Sequence, residues 1–196
     1  MLTHTGTARI VTERLILRKY ALYDAEAVYE NYANDAEVTK YLSWRPYKNV
    51  GEVRDFLSYR LIGDSRRNNY RWAIEFERRV IGGVSAESVD EKNRSCEIGY
   101  CVGRGFWNRG FATEALGAVI RHMFINVGVN RISGKHDAEN AASGRVMEKC
   151  GMVREGRLRG YYIRHDGTVS DSIAYGILKS DFGAAGATGA TGARKP

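Results

Sequence analysis

Between Cys96 and Ala115 the chain reads CEIGYCVGRGFWNRGFATEA, and those residue types suit an anion site beside a carboxylate. A strand-like run ends near Val102, Gly103, Gly105 and Gly110 follow, and a helix is expected to open at about Ala112. Glycines let successive backbone N–H groups turn inward, and the first helical turn adds unpaired donors and a partial positive charge. One helix dipole contributes only about 0.3–1 kcal/mol to an exposed anion, and up to about 2 kcal/mol when partly buried. Several amides must therefore act together with Arg109, and Thr113 offers a hydroxyl. A plain turn before a helix would use the same glycines, and spacing does not separate the two. No Gly-Lys-Ser/Thr follows, so this is not a Walker loop, and the full Gly-x-Gly-x-x-Gly of a dinucleotide fold is missing. Strand alternation sets Glu97, Gly99 and Cys101 on one face, and Ile98, Tyr100 and Val102 on the other.

The elements that must position this segment follow from periodicity. Glu13 to Lys19 alternates apolar and charged side chains, as a first strand does. Asp24 is expected to cap a helix over Ala25 to Ala33. A second helix is predicted over Val50 to Leu61, where Val53, Phe56, Leu57 and Leu61 recur at helical spacing. Thr39 to Asn49, between them, is an aromatic-rich loop with Tyr41, Trp44, Arg45 and Tyr47. Strands over Tyr70–Phe76, Val80–Val89 and Ser95–Val102 form an antiparallel meander, turning at Glu77 to Arg79 and at Asp90 to Arg94. A helix over Ala112–Asn126, a strand over Arg131–Asp137 and a helix over Asn140–Cys150 come next. Strands over Val153–Leu158 and Thr168–Leu178 close the pattern. The expected class is α/β (α+β), a mixed, mostly antiparallel sheet of six to seven strands with helices on both faces.

With 196 residues, 43% hydrophobic content and only 2 prolines, the chain suits one well-filled core. Residues 1–182 read as a single domain. The remainder, 183–196, is rich in Gly, Ala and Thr with glycine at every third position; four such triplets without proline are too few for a collagen helix, so a flexible tail is expected. No apolar run approaches the roughly 20 residues of a membrane span, and Met1 to Ile10 carries no export signal. The 3 cysteines, Cys96, Cys101 and Cys150, suit neither a zinc site nor a disulfide framework, which points to a reducing, cytoplasmic setting. The histidines, including His136 and His165, show no ligand spacing, so no metal is expected. A net charge of +7 favours anionic partners without choosing among them. The arginines are scattered, as on a solvated basic surface rather than a nucleic-acid stripe.

In the segment just described the chain resembles the GNAT superfamily of N-acetyltransferases. That family holds the pyrophosphate of coenzyme A through Arg/Gln-x-x-Gly-x-Gly/Ala at such a strand-to-helix junction. Here Trp107-Asn108-Arg109-Gly110-Phe111-Ala112 occupies it, followed by Thr113-Glu114-Ala115. Trp107 in place of Arg or Gln is typical of the RimJ/RimL-like branch, the ribosomal-protein-alanine N-acetyltransferase type. That branch commonly shows E-I-G-Y before the loop and N-x-x-S with E-K-x-G-F after it. This chain has Glu97-Ile98-Gly99-Tyr100, Asn140-Ala141-Ala142-Ser143 and Glu148-Lys149-Cys150-Gly151-Met152. The resemblance runs from Glu13 to about Phe182.

The resemblance implies acetyl-CoA as cosubstrate and a primary amine as acceptor, on a protein N-terminus or a small molecule. It places Glu97 near that amine as general base, directly or through water; an ion pair with an arginine is the other reading. A reference glutamate is a weak base, so burial would have to strengthen it for that role. Many members use a tyrosine seven positions after the helix-opening asparagine, to protonate the departing thiolate. Met147 stands there, and Ser143 becomes the matching donor, unless it serves only the helix start. Asn140 is expected to cap its helix and to contact the pantetheine arm. The backbone of Cys101 and Val102 is expected to pair with pantetheine amides, while the Cys101 thiol packs rather than reacts. Trp44, Arg45, Tyr47, Tyr161 and Tyr162 either shape the acceptor pocket or belong to the core. Three alternatives stay open: a longer acyl-CoA such as succinyl-CoA, with Arg45 reading the extra carboxylate; a non-catalytic acyl-CoA sensor; and an RNA-binding module, weakened by the lack of an aromatic nucleic-acid motif. Neither nucleic acid nor membrane is expected as a partner, and monomer and homodimer fit equally.

Overall fold

A computed structural model describes residues 1–63 and 68–182, so the expected tail at 183–196 lies outside the described residues. One sheet joins β1 (Ile10–Val11), β2 (Ile16–Arg18), β3 (Tyr70–Phe76), β4 (Arg79–Asp90), β5 (Ser95–Val102), β6 (Arg131–Asp137), β7 (Val153–Ile163) and β8 (Val169–Leu178). Their spatial order is β1-β2-β3-β4-β5-β6-β8-β7, antiparallel at every step except β5 with β6. The expected meander is present. Phe76 faces Arg79 across a two-residue turn, with φ of 48° at Glu77 and 64° at Arg78, the left-handed pair that matches strand twist. The sheet has eight strands where six to seven were expected. The addition is β1, whose Ile10 and Val11 pair with Leu17 and Ile16; two residues are too few for periodicity to register.

Helices cover both faces. On one side α4 (Phe111–His122) and α5 (Ala141–Lys149) lie over Trp72, Ile81, Ile98 and Ile132. Phe111, Ala115, Leu116, Val119 and Ile120 form the buried stripe of α4. Each large side chain in such a stripe contributes about 1.5–3 kcal/mol by leaving water. On the other side α1 (Ala25–Val28), a π-helical turn (Tyr29–Ala33), α2 (Ala36–Thr39) and α3 (Val50–Gly63) build a second core around Val28, Tyr32, Val53, Leu57 and Ala73. Another π-helical turn, Met123–Val127, extends α4 to Gly128, whose φ of 87° ends it.

Asp24 does not cap α1 as expected. Its buried carboxylate accepts from Ala21 N at 2.8 Å and from both Arg18 Nη atoms at 2.8 Å, while Arg18 Nε also reaches Glu75 at 2.5 Å. A charge taken out of water needs a charged partner, and a neighbouring strand supplies a stronger one than a helix N–H.

Candidate active site

The βαβ passage from β5 through α4 to β6 sets the glycine-rich bend at the carboxyl end of β5, where open sheets present ligand sites. The bend lies open to solvent over Arg104, Gly105 and Trp107 to Gly110. Asn108 (φ 59°) and Gly110 (φ 81°) are both left-handed, and Gly110 is the residue before α4. The first backbone bond into the helix runs from Glu114 N to Gly110 O, at 3.0 Å. Among the described residues, no partner takes the N–H groups of Asn108 to Thr113. Gly103 fixes the approach: its N–H donates to Ile81 O at 2.9 Å, and a Cβ there would come within 2.1 Å of Asn31 O.

Side chains from far away in the sequence hold this bend. Arg14 donates Nε to Glu114 Oε2 at 2.7 Å and Nη1 to Arg109 O at 2.9 Å, and Thr12 Oγ1 donates to Glu114 Oε1 at 2.6 Å. Burial pushes the Glu114 carboxyl up, but these donors outweigh it and hold the group below its ordinary value. Trp107 Nε1 donates to Val102 O at 2.7 Å. The Arg109 guanidinium lies over Phe111, Phe76 and Phe106, at 4.8, 5.4 and 5.8 Å from the ring centroids. Its side chain is thus parked on aromatic faces at the rim, beside the amides it was expected to assist. Nothing local in the sequence pointed to Arg14.

Beyond the bend the sheet opens. β5 and β6 pair only over Ser95–Ile98 with Arg131–Gly134, so Gly99–Val102 and Lys135–Asp137 face each other without ladder bonds. Cys101 pairs toward Gly83 of β4, and alternation turns the N–H of Val102, rather than that of Cys101, to the opening. Burial pushes the Cys101 thiol up to about 11, so it stays protonated at neutral pH.

Helix α5 closes one end of this opening. Asn140 caps it as expected, with Oδ1 accepting from Ser143 N at 3.3 Å. Ser143, on the first turn, meets Tyr100 of β5: Tyr100 Oη donates to Ser143 O at 2.7 Å and lies 2.8 Å from Ser143 Oγ. Met147 is buried against the main core. Tyr100, like Arg14, is a group that sequence reasoning missed. Alternation had put it on the face opposite Glu97, which is the α5 face, but no spacing rule linked it to Ser143.

Glu97 faces the other side of the sheet. Its ion-pair partner is Lys135 of β6, with Nζ to Oε2 at 2.5 Å, where an arginine was the alternative expected. Burial pulls the Lys135 ammonium down, but Glu97 and Tyr161 outweigh it and hold it above the ordinary lysine value. Lys135 Nζ also lies 5.0 Å from the centre of the Tyr161 ring. The structure therefore gathers Glu97 and Tyr161 around one lysine. Tyr162, its phenol pushed up by burial, instead lies beside Ser43 of the aromatic-rich loop. There Trp44 and Tyr47 stack at 5.7 Å, both packing partly against the second core. With Ser43, Arg45, Pro46, Glu52, Asp55 and His165 they also line a cavity of about 510 Å³, so they are core and pocket wall at once. The turn carrying His165 is anchored by Arg164, bidentate on the fully buried Asp137 at 2.7 and 2.8 Å.

The residues present fit coenzyme A: an open row of free amides for a diphosphate, then a gap between strands wide of any ladder bond, then a hydroxyl at its end. Among the described residues no cluster of His, Cys, Asp and Glu could hold a metal ion, and no helix is long and apolar enough to cross a membrane.

Comparison with known proteins points the same way. Residues 14–153 match the family described as Acetyltransferase (GNAT) domain. An uncharacterized N-acetyltransferase, p20, of Bacillus licheniformis is 33% identical over 177 residues, covering 88% of this chain and 97% of its own. The ribosomal protein uS5-alanine N-acetyltransferase of Escherichia coli is 23% identical over 182 residues, covering 89% and 92%. Among solved structures, the microcin C7 self-immunity acetyltransferase MccE, in complex with acetyl-CoA and AMP, is 25% identical with a TM-score of 0.77, covering 90% of this chain and 98% of that one. A matched family over most of the length, together with a relative of this identity, settles the assignment: the chain belongs to the GNAT N-acetyltransferases, enzymes that draw their acyl group from acyl-CoA.

Proposed function

We propose that this chain moves an acetyl group from acetyl-CoA to a primary amine by direct attack within a ternary complex. The observation that carries this is the parting of β5 and β6 after Ile98 and Gly134, with Glu97 on one face and Ser143 on the other. Acetyl-CoA, when bound, supplies the activated thioester. The amides of Asn108 to Thr113 and the N-terminus of α4 hold its diphosphate. The Val102 N–H and the free side-chain amide of Asn140 orient the arm that follows.

An amine attacks only as the free base, so a group on the acceptor face must take a proton from the ammonium. Glu97 does so, directly or through water. Its Oε2 starts on Lys135, which means an incoming ammonium competes with that lysine for the carboxylate. On the opposite face Ser143 Oγ donates a hydrogen bond to the departing sulfur, while Met147 offers no proton.

The acceptor is a protein N-terminal amine or a small-molecule amine. The relative acting on an alanine of a ribosomal protein supports the first. Arg45 on the cavity wall keeps a longer, carboxylated acyl group such as succinyl as the second reading.

Thiol release with acetyl-CoA, tested against N-terminal peptides and small amines, distinguishes these. Turnover with acetyl-CoA is expected. Turnover with succinyl-CoA alone would favour the second reading, and tight CoA binding without turnover on any amine would favour a sensor. Ser143→Ala should lower kcat by about tenfold or more with CoA affinity little changed.

A further inference from the structure

The Tyr100–Ser143 contact carries more than packing. Tyr100 Oη lies 2.7 Å from Ser143 O and 2.8 Å from Ser143 Oγ, yet a phenol has one proton. While that proton goes to the Ser143 carbonyl, the bond between the two hydroxyls must be donated by Ser143. The serine proton is then spent on Tyr100, and Oγ presents only lone pairs to the opening. The second arrangement reverses this. Tyr100 donates to Oγ, the Ser143 carbonyl keeps its helical partner, and the serine O–H is released to point elsewhere. Tyr100 is half-buried on β5, and burial pushes its phenol up, so it holds its proton in both arrangements.

We propose that Tyr100 is a positioning residue that decides which way the Ser143 proton points, turning it toward the sulfur as negative charge develops there. Two O–H bonds rotate. No proton changes owner and no covalent bond is made or broken in the switch. The inference rests on the role of Ser143 given above. It explains how a lone serine donor is aimed where Met147 offers no proton: a phenol arrives at the first turn of α5 from a different element.

The test is a double-mutant cycle in kcat, with acetyl-CoA and the best amine acceptor. Tyr100→Phe keeps the ring and removes the hydroxyl. It should lower kcat about fivefold with KM for acetyl-CoA within about twofold, and should lower it by less than about twofold when Ser143 is already alanine. Equal losses in both backgrounds would mean a merely structural role and would overturn the inference, as would an unchanged kcat in Tyr100→Phe. If Ser143→Ala alone leaves kcat unchanged, the reading of Ser143 fails first; if it lowers kcat while Tyr100→Phe does not, only the present inference fails. Should Tyr100→Phe not fold, 3-fluorotyrosine at position 100 gives the answer. A stronger phenol donor should leave kcat at or above the wild-type value, and a loss would count against the switch.

Discussion

In the proposed function, the bend from Val102 to Thr113 and the cavity around Trp44 and His165 would hold their ligands in opposite ways. The bend works through main chain: left-handed φ at Asn108 and Gly110, free N–H groups, and a helix start. Side chains there act from behind, Arg14 and Glu114 locking the turn and Trp107 tying it to β5. The cavity is instead walled by side chains from the loop, from α3 and from the β7–β8 turn. A backbone site recognises any diphosphate and tolerates changes of side chain that keep its φ angles. A side-chain site, as proposed for the acceptor, would set which amine enters, and it depends on buried anchors such as Asp137 to bring its parts together.

That contrast can be broken first at Asp137. Its carboxylate is fully buried and accepts from Arg164, from Ser170 Oγ at 2.7 Å and from Glu139 N at 3.0 Å. Asp137→Ala removes the buried partner of Arg164, which keeps only the exposed Glu139 carboxylate at 2.8 Å, and should cost about 1.5–3 kcal/mol, read by denaturant unfolding. Its acid dependence has a definite sign. Burial pushes the carboxyl up, but Arg164 and Ser170 outweigh it and hold it below its ordinary value of 3.8. The stability it gives is complete above that value and drains away as pH falls through it toward the depressed one. The stability gap between wild type and Asp137→Asn should therefore narrow below pH 3.8 and not above it.

At the bend, Gly110→Val forces a branched side chain to φ 81° and brings a Cβ within 3.3 Å of Arg14 Nη2. A loss of about 1–2 kcal/mol is expected, with KM for acetyl-CoA raised about tenfold and KM for the amine little changed. Gly110→Asn, which tolerates the left-handed region, should recover most of both. A smaller effect is expected from Trp44→Ala: KM for the amine rises a few-fold while KM for acetyl-CoA stays put. Movement of both constants together in either variant would erase the distinction between the two regions.

The two regions also differ in how much of them the sequence reveals. The bend is contiguous, and glycines at a strand-to-helix junction have a direct backbone meaning, so its place was legible. The alternation of β5 correctly separated Glu97 from Tyr100. What stayed hidden depends on contacts across the chain. Arg14 and Glu114 are 100 residues apart, Tyr100 and Ser143 are 43 apart, and Lys135 reaches Glu97 across 38. Asp24 differs for a nearer reason: Arg18 lies only six residues before it, at the end of β2, and capping rules weigh helix N–H groups without weighing such a charged neighbour. Trp44 and Tyr47 could not be divided between core and pocket by composition, and in the fold they serve as both.

Backbone amide shifts in isotope-labelled protein, followed while coenzyme A is added, test the central claim most directly. The largest changes should fall on Asn108 to Thr113, with a second group at Val102 and Ser143, and little at Ser43 to Tyr47. Changes concentrated on Ser43 to Tyr47, with Asn108 to Thr113 unmoved, would mean that the free amides of the bend do not hold the diphosphate.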